Sequence, residues 1–431
     1  MNVTGIIAEY NPFHLGHQYH LEQARKLTNA DYIMVVMSGN FTQRGTPAIM
    51  DKYSRARQAL EHGADLVLEL PVCFASASAE YFSFGGVSLL HKLGVVNHLV
   101  FGSEEGSIEQ IQKTASFLNH ESKEYRILLQ GFLKQGYSFP KARSLSLEKC
   151  LPKISSDFLF KPNNILGVEY CRALLHFQSK IKAVTVPRID NQYHDKNLAI
   201  DGKFSSATAI RETIKKVENN LCNETLSILQ NQPLQNPLSL SPLRNQVPNL
   251  VYDMIEKNYG KTMPIFNNDF STLLQYKLLL ELKKDLSVFS DISPDFADRI
   301  KNNMDSFTDF DSFCERLKTK ELTYSRISRG LLHILLDLKE QDLEEYRKTG
   351  YARYGRILGF RKNSSPLLHE IKKHSEIPLI SKLADSVKTL DAFSLSMLEK
   401  DIQASHIYES IVSQKYKKAF QNELRRKIIV I

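Results

Sequence analysis

The first half of the chain alternates between short apolar runs rich in β-formers and longer stretches with helical spacing. "VTGIIAEY" and "DYIMVVMSG" read as strands, and "LGHQYHLEQARKLTNA" between them spaces its apolar residues as a helix does. A helix in "DKYSRARQALEHG", a strand in "ADLVLELP", a helix across "AEYFSFGGVSLLHKLG" and a strand in "VNHLVFGSE" follow. Helical spacing resumes in "NNILGVEYCRALLHFQ", then comes a strand in "KAVTVPR" and a helix from "SSATAIRETIKK". Strands alternating with helices predict a parallel sheet with helices on its faces, a Rossmann-like α/β domain over residues 1–228.

The pattern breaks at 229–250, "LQNQPLQNPLSLSPLRNQVPNL", where four prolines among Asn and Gln cannot continue a helix. This segment is read as a linker. Beyond it "STLLQYKLLLELKKDL", "SRISRGLLHILLDL" and "LSMLEKDIQASHIYESIV" are helical, so residues 251–431 are expected to form an all-α C-terminal domain.

Composition adjusts this picture only slightly. The 431 residues exceed one ordinary core, in keeping with two domains. No apolar run approaches membrane-spanning length, and "MNVTGIIAEY" lacks the basic start of a signal peptide, so the expected location is the cytoplasm. The five cysteines are scattered without a C-x-x-C, as reduced thiols are. The net charge of +8 suits a polyanionic partner. It divides evenly, with residues 1–220 and 221–431 each carrying an excess of four, so bulk charge does not locate that partner.

Candidate chemistry concentrates in residues 5–20, "GIIAEYNPFHLGHQYH". His14, His17 and His20 follow a strand at intervals of three. A metal site is disfavoured, because i and i+6 on a helix diverge and no carboxylate sits at ligand spacing beside them. A nucleotide site fits the placement. In a parallel sheet ligands bind where strand ends meet helix N-termini, whose free N–H groups and dipole favour phosphate. Gly16 lets the backbone approach, and His14 and His17 can then donate to a phosphoryl transition state.

"HLGH" resembles the HxGH signature of the nucleotidyltransferase superfamily. The longer matches "GIIAEYNPFHLGHQYHL", "MSGNFTQRGTPAIMDKYSRARQALEHGADLVLELP", "SAEYFSFGGVSLL", "FGSE", "KPNNILGVEY" and "SSATAIRE" resemble, in that order, the bacterial tRNA(Met) cytidine acetate ligase family. Weaker similarity in "TYSRISRGLLHILL" and "YARYGRILGF" extends it over nearly the full chain. The resemblance implies an ATP-dependent, AMP-forming ligase. It would activate acetate as acetyl-adenylate, release pyrophosphate, and acetylate the 4-amino group of the wobble cytidine of elongator tRNA(Met), with Mg2+ assisting.

By position, the resemblance assigns ATP binding to Ile7, Ala8, Glu9, Tyr10, Asn11, Pro12, Phe13, His14, Leu15, Gly16, His17, Gln18, Tyr19 and His20. It adds Gly102, Asn163 and Arg188, with His14 and His17 catalytic. A KMSKS-type lysine motif is not visible, and Arg211 or Lys203 are the candidates to follow the leaving pyrophosphate. Each outer residue has a plainer alternative: a turn for Gly102, a helix cap for Asn163, Ser206 and Thr208, a surface ion pair for Arg188. Arg44 is open between tRNA, acetate and bracing its own loop. Residues 346–362, "YRKTGYARYGRILGFRK", carry six basic and no acidic residues with interleaved aromatics, and are the candidate tRNA-facing segment. The alternative functions are an adenylyltransferase for a small coenzyme precursor and a non-catalytic RNA-binding protein on an ATP-binding fold. The sequence points to no protein partner.

Overall fold

A computed structural model of the chain describes residues 1–151, 156–188, 198, 204–229 and 239–431. The predicted strands of the first half form: β1 (Val3–Ala8), β2 (Tyr32–Ser38), β3 (Leu66–Leu70), β4 (His98–Ser103) and β5 (Lys182–Pro187). Between them lie α1 (Leu15–Thr28), α2 (Lys52–Glu61), a short α3 (Val72–Ala75) and α4 (Ala79–Lys92). Between β4 and β5 lie α5 (Ile108–Asn119), α6 (Lys123–Lys134), α7 (Phe139–Cys150) and α8 (Pro162–His176). A long α9 (Ala207–Leu229) follows β5.

The sheet order is β5-β4-β1-β2-β3, all parallel, with Val3 opposite Tyr32 and Gly102 opposite Val186. The chain winds one way from β1 through β2 to β3, and β4 lies on the other side of β1. The carboxyl ends of β1 and β4 therefore flank the point where the winding reverses, which is where a crevice opens in such sheets.

The C-terminal half is helical: α10 (Asn249–Asn258), α11 (Ser271–Glu281), α12 (Pro294–Asn302), α13 (Phe310–Leu317), α14 (Tyr324–Leu336), α15 (Glu340–Lys348), α16 (Ser365–His374), α17 (Ser386–Thr389) and α18 (Ala392–Tyr416). It also returns strands to the sheet. Here β6 (Gly355–Phe360) pairs antiparallel with β3, and β7 (Leu379–Ile380) and β8 (Ile429–Val430) pair with β6. Of the expected linker, residues 230–238 lie outside the described residues.

Alternate strand positions face opposite cores. Ile7, Met34, Val36, Leu66 and Leu68 pack with α4 and α8, and Ile6, Val35, Met37, Val67 and Val100 pack with α1, α2 and α10. A third cluster joins α11 to α14 with α18. Two glycines of "FSFGG" explain that motif: a Cβ on Gly85 would fall 2.5 Å from the Phe74 ring, and one on Gly86 2.7 Å from Ile7. Only a helix bare at both positions can lie this close to β1.

The expectation that residues 346–362 face tRNA is corrected for the tyrosines and Arg356, while Arg347, Lys348 and Lys362 stay exposed. Tyr346, Tyr351 and Tyr354 are core residues, and Arg356 on β6 is 2% exposed. Arg356 meets Glu69 of β3 at 2.8 Å and also pairs with Glu423. Lys52 joins the same cluster, 2.8 Å from each carboxylate. Burial alone would raise the Glu423 carboxyl; Lys52 and Arg356 beside it overrule that and hold it well below the usual range. The Tyr354 hydroxyl donates to Asp401 at 2.5 Å, and Asp401 in turn accepts from the Val72 amide. Arg361 donates to the Leu60 carbonyl, and Arg353 pairs with Asp391. Arg356 and Arg361 thus tie the second half onto the sheet. Among the described residues no helix is long and apolar enough to cross a membrane.

Candidate active site

A cleft of about 220 Å³ opens at the predicted strand ends. Its floor is Ile7 to Asn11 at the end of β1, Phe101 and Gly102 of β4, and Val186 to Arg188 at the end of β5. The N-terminal turns of α1, α8 and α9 wall it with His14, Gly16, His17 and His20, Asn163, and Ser206 to Thr208 with Arg211.

His14 is the N-cap of α1, and its backbone N–H donates to His17 Nδ1 at 3.2 Å. The two rings stack with centroids 3.6 Å apart. Burial, then Arg188 and Arg211, push His14 down to about 3. His17 is lowered by burial, His14, Arg188 and His20. His20 falls to about 4 through burial and Arg188, against a backbone hydrogen bond with Phe101. All three are therefore neutral near pH 7. Because a backbone amide can only donate, His17 Nδ1 must accept, which leaves its proton on Nε2. The helix cap thus fixes the tautomer and turns His17 into a donor at its outer nitrogen. His14 Nδ1, His20 Nε2 and the Tyr10 hydroxyl are buried atoms with no hydrogen-bond partner among the described residues. All three residues line the cleft, so a ligand with matching groups would satisfy them.

The remaining predicted residues divide. Ile7, Ala8, Glu9, Tyr10, Asn11, Gly16, Tyr19, Gly102, Asn163, Arg188 and Arg211 are brought to the cleft with the histidines. Pro12, Phe13, Leu15 and Gln18 are not. Phe13 is fully buried core, Leu15 donates its amide to the Gln246 carbonyl, and Gln18 turns outward to Glu22. Within α1, helical periodicity separates Leu15 and Gln18 from Gly16, His17 and His20 on the cleft side.

Lys203 lies outside the described residues. Arg211 donates to the Asn11 carbonyl at 2.7 Å and to Thr208 Oγ1 at 3.1 Å. Asn163 is in the first turn of α8, whose N-cap is Lys161, and its side chain donates to Glu104 Oε1 at 2.7 Å. Glu104 also accepts from the amides of Asn163 and Asn164, capping α8 from outside it. Ser206 Oγ accepts from the Ala209 amide, so it caps α9 while lining the cleft. A Cβ on Gly102 would meet nothing closer than Arg188 Cγ at 3.5 Å.

Sequence reasoning missed the support beneath the cleft. Arg55 of α2 is fully buried and donates to the carbonyls of Glu9 at 2.6 Å, Ser38 at 3.1 Å and Gly39. One guanidinium thereby gathers the ends of β1 and β2. The signal was present: Lys52 and Arg55 stand at core-facing positions of α2, where a cation demands buried partners.

The turn after β2, of which the sequence singled out only Arg44, is a further wall. Thr42, Gln43, Arg44 and Thr46 line the cleft, with Gln43 N donating to Glu9 Oε1 at 2.7 Å. The turn needs Gly45, whose φ is +75° and whose Cβ would fall 2.4 Å from the Arg329 amide nitrogen of α14. Ser328 of the same helix donates to the Gly45 carbonyl at 2.8 Å. The motif "TYSRISRG" therefore clamps the turn that carries Arg44.

The cleft holds the cations Arg44, Arg188 and Arg211 against one carboxylate, Glu9, among the described residues. Together with neutral donors on a helix N-terminus, it is built for a polyanion such as a triphosphate.

The model of the HIGH Nucleotidyl Transferase family matches residues 1–423. The tRNA(Met) cytidine acetate ligase of Clostridium novyi (strain NT) is 37% identical over 413 residues, covering 95% of this chain and 96% of its own. That of Clostridium acetobutylicum is 38% identical over 439 residues, with 100% of both covered. Two crystal structures of Thermotoga maritima TmcAL align over 100% of both chains. The one bound with alpha-thio ATP gives a TM-score of 0.86 at 31% identity, and the apo form 0.87 at 32%.

Proposed function

The chain belongs to the HIGH nucleotidyl transferase family, and from that premise we propose that it is a tRNA(Met) cytidine acetate ligase working in the cytoplasm. An acetate oxygen attacks the α-phosphorus of ATP, and the bond to the β-phosphate oxygen breaks to release pyrophosphate. The 4-amino group of the wobble cytidine of elongator tRNA(Met) then attacks the acetyl carbonyl. AMP leaves, the amine gives up a proton, and N4-acetylcytidine is formed.

The observation that carries this reading is the stacked, neutral His14–His17 pair at the N-terminus of α1, with the His17 proton held on Nε2. Fixed donors of this kind bind a phosphoryl group most strongly when it carries extra charge in the transition state. Arg188 and Arg211 support it as counter-charges for the triphosphate, and Arg211 is the cation placed to follow pyrophosphate. Were Mg2+ to accompany the nucleotide, Glu9 is the cleft carboxylate that would help hold it, and the ion would neutralise charge on the leaving pyrophosphate.

Relatives named for the same reaction, alike over the whole chain, support the acetate and tRNA specificity. The test is to incubate the protein with ATP, acetate and elongator tRNA(Met). AMP, pyrophosphate and N4-acetylcytidine in the digested tRNA are expected; ADP and phosphate, or unmodified cytidine, would reject the reaction.

A further inference from the structure

A tRNA substrate needs a docking surface, and in the segment whose composition suggested one the tyrosines and Arg356 are built into the core. We propose that the α6–α7 hairpin, with Phe160 just ahead of α8, is that surface. It would hold the nucleotides flanking the one whose base enters the cleft, and in this it rests on the function proposed above.

The hairpin is unusually bare. α6 buries only Tyr125, and beyond it Tyr137, Phe139 and Phe160 are 40%, 55% and 39% exposed. Residues 123–161 contain eight Lys and Arg against three Asp and Glu. Arg143 is drawn inward by Glu169 at 2.7 Å, but Lys134 and Lys149 are exposed and Lys141 is half-buried. Cations and rings are interleaved: Lys141 Nζ lies 5.0 Å from the Phe160 ring centre, and Lys149 Nζ 5.3 Å from that of Phe132.

Flat exposed rings among lysines match a strand of splayed nucleotides, whose bases stack while the phosphates take the charge. They match a second copy of the chain poorly, since a two-fold contact would set this basic patch against itself. The position is also suitable. Phe160 precedes the cleft residue Asn163 by three positions, at most about 11 Å of chain. Lys161 between them is paired with Glu105 at 2.5 Å on the same rim.

The test uses the full chain carrying Lys134→Glu, Lys141→Glu and Lys149→Glu together, and a second variant, Phe139→Ala. Acetylation of elongator tRNA(Met) is measured at several salt concentrations, beside acetate-dependent ATP–pyrophosphate exchange without tRNA. The triple variant is expected to raise KM for tRNA at least tenfold and to flatten the salt dependence by about two in slope, roughly 0.7 per lost phosphate contact. Exchange should be unchanged in both variants, and Phe139→Ala should raise KM for tRNA without altering the slope.

An unchanged KM and slope with intact exchange would overturn the proposal. So would a wild-type dimer that the triple variant dissociates, because the patch would then be an interface between copies. If the wild-type protein shows no exchange, the functional reading fails instead. Direct tRNA binding then decides the surface separately: binding lost in the triple variant supports it, and binding retained rejects it.

Discussion

Residues 346–362 and 123–161 are built from the same ingredients, lysine and arginine interleaved with aromatics, yet the fold places their aromatics differently. In the first, Arg356 and three tyrosines are buried. In the second, the aromatics Tyr137, Phe139 and Phe160 stand at the surface. The difference lies in their partners. Arg356 finds Glu69 and Glu423, and Tyr354 finds Asp401, all supplied by distant parts of the chain. Among the described residues Lys134, Lys141 and Lys149 have no carboxylate partner. A basic segment is a nucleic-acid surface only when the fold leaves its charges uncompensated, and local composition does not decide that.

The largest effect expected from testing this contrast is on stability. Arg356→Ala leaves Glu69 and Glu423 buried around Lys52 alone, which should cost about 3–5 kcal/mol in urea unfolding. A stable variant with weakened tRNA binding would reverse the comparison.

The cleft provides the next test, because its changes should affect the chemistry and neither the fold nor docking. His14→Ala and His17→Ala should each lower kcat about a hundredfold, ~3 kcal/mol, with KM for tRNA unchanged. Since both donors serve one charge, the double variant should lose less than the sum of the two.

Acid should reach the same histidines from the side of stability. The unfolded chain takes up their protons below about pH 6.5, whereas the fold refuses them until about 4 at His20 and about 3 at His14. Their contribution is complete above pH 6.5 and is lost as pH falls through that window, at up to ~1.4 kcal/mol per pH unit for each histidine. Unfolding midpoints measured from pH 7 to 4 should show this slope, reduced in His20→Gln.

The smallest effect belongs to the exposed hairpin. Lys149→Ala and Phe139→Ala should shift the unfolding free energy by no more than about 0.5 kcal/mol. A larger loss would mean that this patch, too, is held by the fold.

The parallel half of the sheet and the strand-to-helix loop of the cleft were legible in the sequence because their signals are local. Periodicity marked β1 to β5, and "HLGH" lay where a strand meets a helix. Illegible were the features made by contacts between distant residues. β6, with two glycines and an arginine in six residues, lies in a half expected to be all-α, and becomes a strand only because β3 offers an edge to it. Gln43 and Arg44 reach the cleft because α14, nearly three hundred residues later, pins Gly45. Pro12, Phe13, Leu15 and Gln18 were included with the site because the resemblance covers a continuous stretch, whereas the turn after β1 and the helix each present only some of their residues to the cleft.

The pairing of β3 with β6 also bears on how the protein is made. Leu66 meets Phe360, so β3 waits as an open edge while nearly three hundred residues leave the ribosome, roughly 15 to 60 s at ordinary bacterial rates of 5–20 residues per second. An apolar edge strand such as "LVLEL" invites other nascent chains to pair with it. Glu69 sits within that strand, and a charge at an unpaired edge discourages such pairing. The carboxylate that later binds Arg356 can thus guard the edge during synthesis, and is enclosed when the matching arginine arrives on the proper strand.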